Sequence, residues 1–163
     1  MTKYSLIVDV DLCIGCQACE VACKQENDIP VGPKWISVIQ VGPKEFNGKL
    51  KMSFVPVYCK HCAQPVCMDV CPTGALTQRS DGIVLINPNL CTGCKACIEA
   101  CPFGAPALNA DTNTVEMCTM CVHRVDKRIE PACISVCPTE AIHFGDANKV
   151  IYLKREKYAE GFV

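Results

Sequence analysis

Long hydrophobic runs are missing from this 163-residue chain. No stretch approaches the ~18–20 apolar residues of a membrane-spanning helix, so direct membrane insertion is not expected. Met1–Asp11 (MTKYSLIVDVD) has one lysine, no twin arginine and no small-residue cleavage site, and it does not read as a leader. A charge excess is missing too. Sixteen Lys and Arg against seventeen Asp and Glu leave a formal charge of −1, which gives no basis for nucleic-acid binding. No Gly-rich phosphate loop occurs, because Gly15 and Gly93 stand alone, and no Ser/His/Asp arrangement is visible among only three histidines. These absences leave a soluble chain of one domain, or two small ones, with no substrate site of its own.

Cysteine is what the sequence has in excess: sixteen residues, about a tenth of the total. Such a number forces a choice among disulfides, zinc and iron–sulfur chemistry. Disulfides suit an oxidising compartment and shorter secreted chains, and nothing in the sequence points there. Cys91 to Pro102 reads C-x2-C-x2-C-x3-C-P, the run by which bacterial ferredoxins hold cubane iron–sulfur clusters. Three thiolates spaced two apart on a looped backbone can converge on three corners of one cube. The fourth, a helical turn further on, points to a neighbouring cube. Pro102 ends the helix at once, since it has no N–H to continue the ladder.

Three related quartets accompany it. Cys13, Cys16, Cys19 and Cys23 have the same spacing, but Lys24 replaces the proline, so the helix starting near Ala18 is expected to continue through Glu26. Cys59, Cys62, Cys67 and Cys71-Pro72 carry two extra residues between the second and third ligands. Cys118, Cys121, Cys133 and Cys137-Pro138 carry a long insert, Val122–Ala132, with Arg124, Lys127 and Arg128. Taken alone, the last quartet also fits a structural zinc tetrahedron. Fourfold repetition and three Cys-Pro endings select four [4Fe-4S] clusters for the whole chain. Four tetrathiolate clusters of about −2 each would take the formal charge from −1 to about −9. His61, His123 and His143 are then neighbours of the clusters or structural residues, not ligands.

Between the quartets, Tyr4–Val10 reads as a strand, residues 28–34 as a turn-rich connector and Trp35–Val41 as a second strand. Gly42–Lys51 reads as a hairpin turn around Asn47-Gly48, with Met52–Tyr58 returning and Pro56 confining it to an edge. Thr73–Leu76, Asp81-Gly82, Ile83–Ile86 and Asn87-Pro88 resemble the short strand–turn–strand link between the two halves of a bacterial ferredoxin. Phe103-Gly104-Ala105 reads as an exit from the third quartet, and Thr114–Met117 leads into the fourth. Ala141–Phe144 and Val150–Leu153 read as closing strands, and Lys154–Val163 as a short tail. Trp35 reads as core or interface packing. Lys60, Lys95, Arg124, Lys127 and Arg128 would steer an acidic partner, offset cluster charge or simply form a solvated face.

Because the fourth cysteine of each ferredoxin run ligates the other cluster, quartets work in pairs. Quartets two and three flank the ferredoxin-like link, while one has a strand ahead of it and four a strand after it. The expected fold is therefore α+β, two nested ferredoxin-like units with small sheets and short helices around four clusters. Residues 52–109 make the inserted unit, and 1–51 plus 110–163 the outer one. The expected ligand sets are Cys13, Cys16, Cys19 with Cys137 (cluster a) and Cys118, Cys121, Cys133 with Cys23 (cluster b). The inner sets are Cys59, Cys62, Cys67 with Cys101 (cluster c) and Cys91, Cys94, Cys97 with Cys71 (cluster d). The alternative, pairing one with two and three with four, would leave residues 72–90 unexplained.

Nearly the whole chain resembles the four-cluster iron–sulfur subunits of molybdenum- and tungsten-pterin oxidoreductases. The resemblance lies in CIGCQACEVACKQEN, CKHCAQPVCMDVCPTGAL, DGIVLINPNLCTGCKACIEACPFGA and EMCTMCVHRVDKRIEPACISVCPTEAIHFGD. It implies the same one-with-four and two-with-three pairing. It also implies a non-catalytic subunit relaying single electrons from a catalytic tungsten- or molybdenum-pterin subunit to a flavin subunit or a membrane quinone-reactive anchor, or in reverse. The catalytic partner would be of aldehyde oxidoreductase, reductase or formate dehydrogenase type. The shortness of the chain after the last strand is similar to the small polyferredoxin-like subunit of bacterial tungsten aldehyde oxidoreductases. A free-standing polyferredoxin shuttle is the alternative, and exposed end clusters would permit head-to-tail self-association. The expected location is the cytoplasm, or the periplasm by co-export with a partner.

Overall fold

The β-branched and aromatic run at the start forms β1 (Tyr4–Val8), two residues shorter than the alternation suggests. The chain leaves the strand at Asp9, whose N–H donates to the Ala141 carbonyl and whose carboxylate accepts from the Asp11 N–H. The computed structural model describes residues 3–161, apart from the side chains of Leu153, Lys154 and Lys157. Helix α1 (Ala18–Glu26) runs through Cys19 and Cys23 and beyond, as the absence of a proline allows.

Next come β2 (Ile36–Phe46) and β3 (Lys49–Tyr58), an antiparallel hairpin longer than expected. Its strands continue to the two-residue Asn47-Gly48 turn, where both φ values are positive (52° and 74°), the form that matches strand twist. The register shifts between Val41 and Lys44, so residues expected in a loop are instead absorbed by an irregularity within the ladder. Pro56 lies in a two-stranded sheet, where every strand is an edge, and costs no central ladder bond.

The middle of the chain holds α2 (Val66–Asp69), β4 (Leu76–Gln78), β5 (Val84–Ile86) and α3 (Ala96–Ala100), with β4 and β5 paired. Then β6 (Ala107–Asn109) pairs with β7 (Thr114–Glu116). Strand β6 lies just past the expected exit at 103–105 and has no counterpart among the expected elements. The insert of the last quartet forms α4 (Val122–Val125) and a turn before α5 (Ala132–Ser135). Strand β8 (Ile142–Asp146) returns to pair antiparallel with β1, Leu6 opposite Phe144.

The expected last strand, Val150–Leu153, and the expected tail are instead one helix, α6 (Ala147–Glu160). The reason is local. The Asp146 carboxylate caps it by accepting from the Asn148 and Lys149 N–H groups at 3.0 and 3.4 Å, and Ala, Lys, Arg and Glu dominate its later turns. Val150 is the buried contact, whereas Ile151 and Tyr152 are exposed, a helical rather than an alternating pattern. Phe162 and Val163 of the expected tail lie outside the described residues, as do Met1 and Thr2 of the expected outer unit.

None of these four two-stranded sheets is large enough to be stable alone. Among the described residues the apolar side chains gather in three small cores, two of which contain cysteines. Leu6, Ile36, Tyr58 and Ile142 pack with Cys19, Cys23 and Cys133, and Leu76, Val84, Val115 and Met117 pack with Cys97. A third group, Ile83, Met120 and Val125, joins the middle of the chain to its flanks.

Candidate metal centres

The four quartets share one backbone device. The residue two after the first cysteine has positive φ in each: Gly15 (72°), His61 (44°), Gly93 (67°) and Met120 (55°). That conformation turns the backbone back on the first thiol, so His61 N–H donates to Cys59 Sγ at 3.4 Å and Met120 N–H to Cys118 Sγ at 3.3 Å. At Gly15 and Gly93 a Cβ would also meet a close neighbour. An added Cβ would lie 2.5 Å from the Phe54 ring at the former and 2.2 Å from the Asn113 carbonyl oxygen at the latter.

The third cysteine of each quartet lies on a short helix: Cys19 on α1, Cys67 on α2, Cys97 on α3 and Cys133 on α5. Cys71, Cys101 and Cys137 lie just beyond the ends of their helices, each followed by proline. Cys23 stays inside α1.

Three cavities are each lined by four thiols drawn from two quartets. Cys23 from the first quartet and Cys118, Cys121 and Cys133 from the fourth line one, together with Trp35 and Tyr58. Cys71 from the second and Cys91, Cys94 and Cys97 from the third line another. Cys101 from the third and Cys59, Cys62 and Cys67 from the second line the last. The remaining four thiols lie around the core of the flanking segments. Cys19 is buried in it near Cys13 and Cys16, and Cys137 packs on its edge, where its Sγ accepts from the Ala141 N–H at 3.3 Å.

Thiols line a space in these cavities; they do not meet at a point. Among the described residues no three His, Cys, Asp or Glu side chains converge closely enough to hold a single metal ion. A multi-iron core, which fills a space and does not sit at a point, fits this donor set. The electrostatics agree. Burial pushes the Cys19 and Cys97 thiols up to about 11, and Cys23, Cys59 and Cys118 up to about 12. Thiolates at such sites need positive charge beside them, which iron supplies. At Cys71 and Cys137 burial also acts upward, but hydrogen bonds outweigh it and leave both thiols below the ordinary value. Those bonds come from the Thr73 and Thr139 hydroxyls and nearby backbone N–H groups.

None of the three histidines lines the described thiol cavities. His61 Nδ1 accepts from the Val84 N–H at 3.0 Å, so Nε2 carries the ring proton, and burial pushes this imidazole down to about 4. Its Nε2 is buried without a protein partner. His123 and Arg124 on α4 both grip Glu26 at the end of α1, each at 2.8 Å. His143 lies on β8 opposite Ile7. Of the cations, Lys60 lies 3.6 Å over the Tyr58 ring, while Lys95, Lys127 and Arg128 are exposed.

Sequence reasoning does not single out Asn27, and it places Trp35 and Tyr58 at no site. All three line the cavity of Cys23 and Cys118. The polar character of Asn27 at the end of α1 looks like ordinary helix termination, and only the return of the chain 94 residues later gives it a second role.

Residues 50–147 match a family model described as a 4Fe-4S dicluster domain, and residues 12–75 match a second model of the same description. A putative dimethyl sulfoxide reductase iron–sulfur subunit of Halobacterium salinarum is 38% identical, over 90% of this chain and 67% of its own. The iron–sulfur subunit of the nitrate-inducible formate dehydrogenase of Escherichia coli is 39% identical, over 97% of this chain and 59% of its own. A polysulfide reductase chain of Wolinella succinogenes is 43% identical, over 88% and 76%. The present sequence thus spans between 59% and 76% of the length of these relatives. The thiol-lined cavities and these matches reach one conclusion: the protein belongs to the iron–sulfur electron-transfer subunits of molybdenum-pterin oxidoreductases, built from 4Fe-4S dicluster domains, and carries four [4Fe-4S] clusters.

Proposed function

We propose that the protein is a four-cluster wire with one opening at each end, buried between a catalytic molybdenum- or tungsten-pterin subunit and a second redox partner. The single observation that carries this is the exposure of the cysteines. Of the sixteen, only Cys16 and Cys94 are exposed. In the ligand sets expected above, these belong to clusters a and d, and no thiol of b or c reaches the surface to that degree.

The three cavities support the sets for b, c and d, and the pairing of β1 with β8 supports an outer unit closed around an inner one at 52–109. The step between units falls where two pairs of adjacent residues straddle two cavities. Tyr58 lines that of b and Cys59 that of c; Met117 lines that of c and Cys118 that of b. The path then runs a, b, c, d. When bound, each cluster takes up and passes on one electron. The protein's own work is to exclude water from b and c with Trp35, Tyr58 and Met117, and to aim N–H groups at the sulfurs where charge collects.

The relatives' names support a reductase or formate dehydrogenase as the catalytic partner; an aldehyde oxidoreductase with a flavin subunit is the other branch. No described helix is long and apolar enough to cross a membrane. We place the complex in the cytoplasm, which cell fractionation tests against periplasmic co-export. The test of function is elemental analysis of the complex captured anaerobically through this protein. Sixteen iron per chain with stoichiometric molybdenum or tungsten is expected, and the heavy metal selects the branch. Sixteen iron with neither would replace the wire by a free polyferredoxin.

A further inference from the structure

The cavity of Cys23, Cys118, Cys121 and Cys133 contains a donor that no other described cavity has. Asn27, the residue at the C-terminal cap of α1, lines it. Its Nδ2 donates to the Cys23 carbonyl at 2.9 Å, which fixes the amide orientation, since a carbonyl can only accept. The same nitrogen lies 3.8 Å from Cys23 Sγ and 3.9 Å from Cys121 Sγ. An amide nitrogen has two hydrogens, so one is held by the carbonyl and the other faces two sulfurs from quartets one and four.

One backbone donor also reaches a sulfur of this cavity, Met120 N–H to Cys118 Sγ at 3.3 Å, whereas two side-chain donors that line it turn away. Trp35 Nε1 donates to Glu116 at 3.3 Å, and the Tyr58 hydroxyl donates to the Leu6 carbonyl at 2.7 Å. Elsewhere the described donors to sulfur are backbone N–H groups and the hydroxyls of Thr73 and Thr139.

We propose that Asn27 sets the reduction potential of cluster b, holding it above the value that the backbone donors alone would give. The inference rests on the ligand set assigned to b above. One electron from a neighbouring cluster takes a tetrathiolate cluster from a net charge of about −2 to about −3 without uptake of a proton. A hydrogen aimed at two of its four sulfurs stabilises the more negative state more, and so favours reduction. Asn27 acts through the ligands and is a positioning residue.

The experiment is an anaerobic EPR-monitored redox titration of the iron-loaded protein, comparing wild type with Asn27→Leu and Asn27→Asp. Both variants preserve approximate size and remove the N–H. In Asn27→Leu the reduction equilibrium of one cluster is expected to weaken about tenfold, about 59 mV for one electron, with three clusters unmoved. Asn27→Asp, which adds negative charge, is expected to shift the same cluster further. Four unchanged midpoints in a variant with full iron would overturn the proposal. Loss of that cluster's iron in both variants would reduce Asn27 to a structural clamp and overturn it too. Cys121→Ser separates this from the ligand reading. If the signal altered in Cys121→Ser differs from the one shifted in Asn27→Leu, the assignment of set b fails while Asn27 still tunes a cluster.

Discussion

At Gly93 an alanine meets two obstacles at once: a φ of 67° that side chains avoid, and a backbone oxygen 2.2 Å from where its Cβ would be. Gly93→Ala should therefore cost on the order of 2 kcal/mol or more, and lower iron occupancy at the Cys91 quartet. Gly15→Ala shares the φ penalty but meets the Phe54 ring, which can swing aside, so its loss should be smaller. Anaerobic denaturant unfolding with iron counts on both variants checks the ranking. These glycines are legible as loop residues from spacing alone. Their counterparts His61 and Met120 are not, because nothing in those residue types announces positive φ, and only the shared turn onto the first thiol explains it.

Elements are held to each other by a few polar clamps. Glu20 on α1 is buried and accepts from the Val38 N–H of β2 with one oxygen and from Lys34 Nζ at 2.6 Å with the other. Glu20→Ala strands that backbone N–H, and about 1–3 kcal/mol should be lost. Hydrogen exchange should quicken in residues 36–46 before it does elsewhere. Arg79, beyond β4, reaches Asp126 beyond α4 at 2.7 Å, but both side chains are a third exposed or more. Arg79→Ala should cost under about 1 kcal/mol, and the difference should vanish in ~1 M salt, as thermal unfolding at two ionic strengths would show. Element by element, the cysteine helices can be read from the sequence because spacing, proline and loop length all agree there. Strand β6, three residues long, carries too little pattern to be read without its partner β7. In α6 the β-branched start of VIYL masks a cap at Asp146 that only the backbone reveals.

For the molecule as a whole, apolar packing is thin and divided among three small cores, two of which include thiols. Removing iron with an anaerobic chelator should therefore unfold the protein, with loss of far-UV circular dichroism, since metal binding and folding are linked. The loaded protein should focus well below the sequence isoelectric point of 6.3, because the clusters add negative charge. When the complex forms, hydrogen-exchange protection should appear in the loops of Cys16 and Cys94, the two exposed thiols; protection elsewhere and not there would move the ends of the wire.

The pairing of β1 with β8, and of Cys23 with three thiols beyond residue 117, has a consequence in time. During synthesis the first quartet emerges long before the residues that complete its surroundings. The second and third quartets line their two cavities between themselves, and both have emerged while the fourth is still to be made. The middle of the molecule therefore has all the thiols of its two cavities before the flanks do, and the earliest quartet waits longest for its partners, until the last strand has been made.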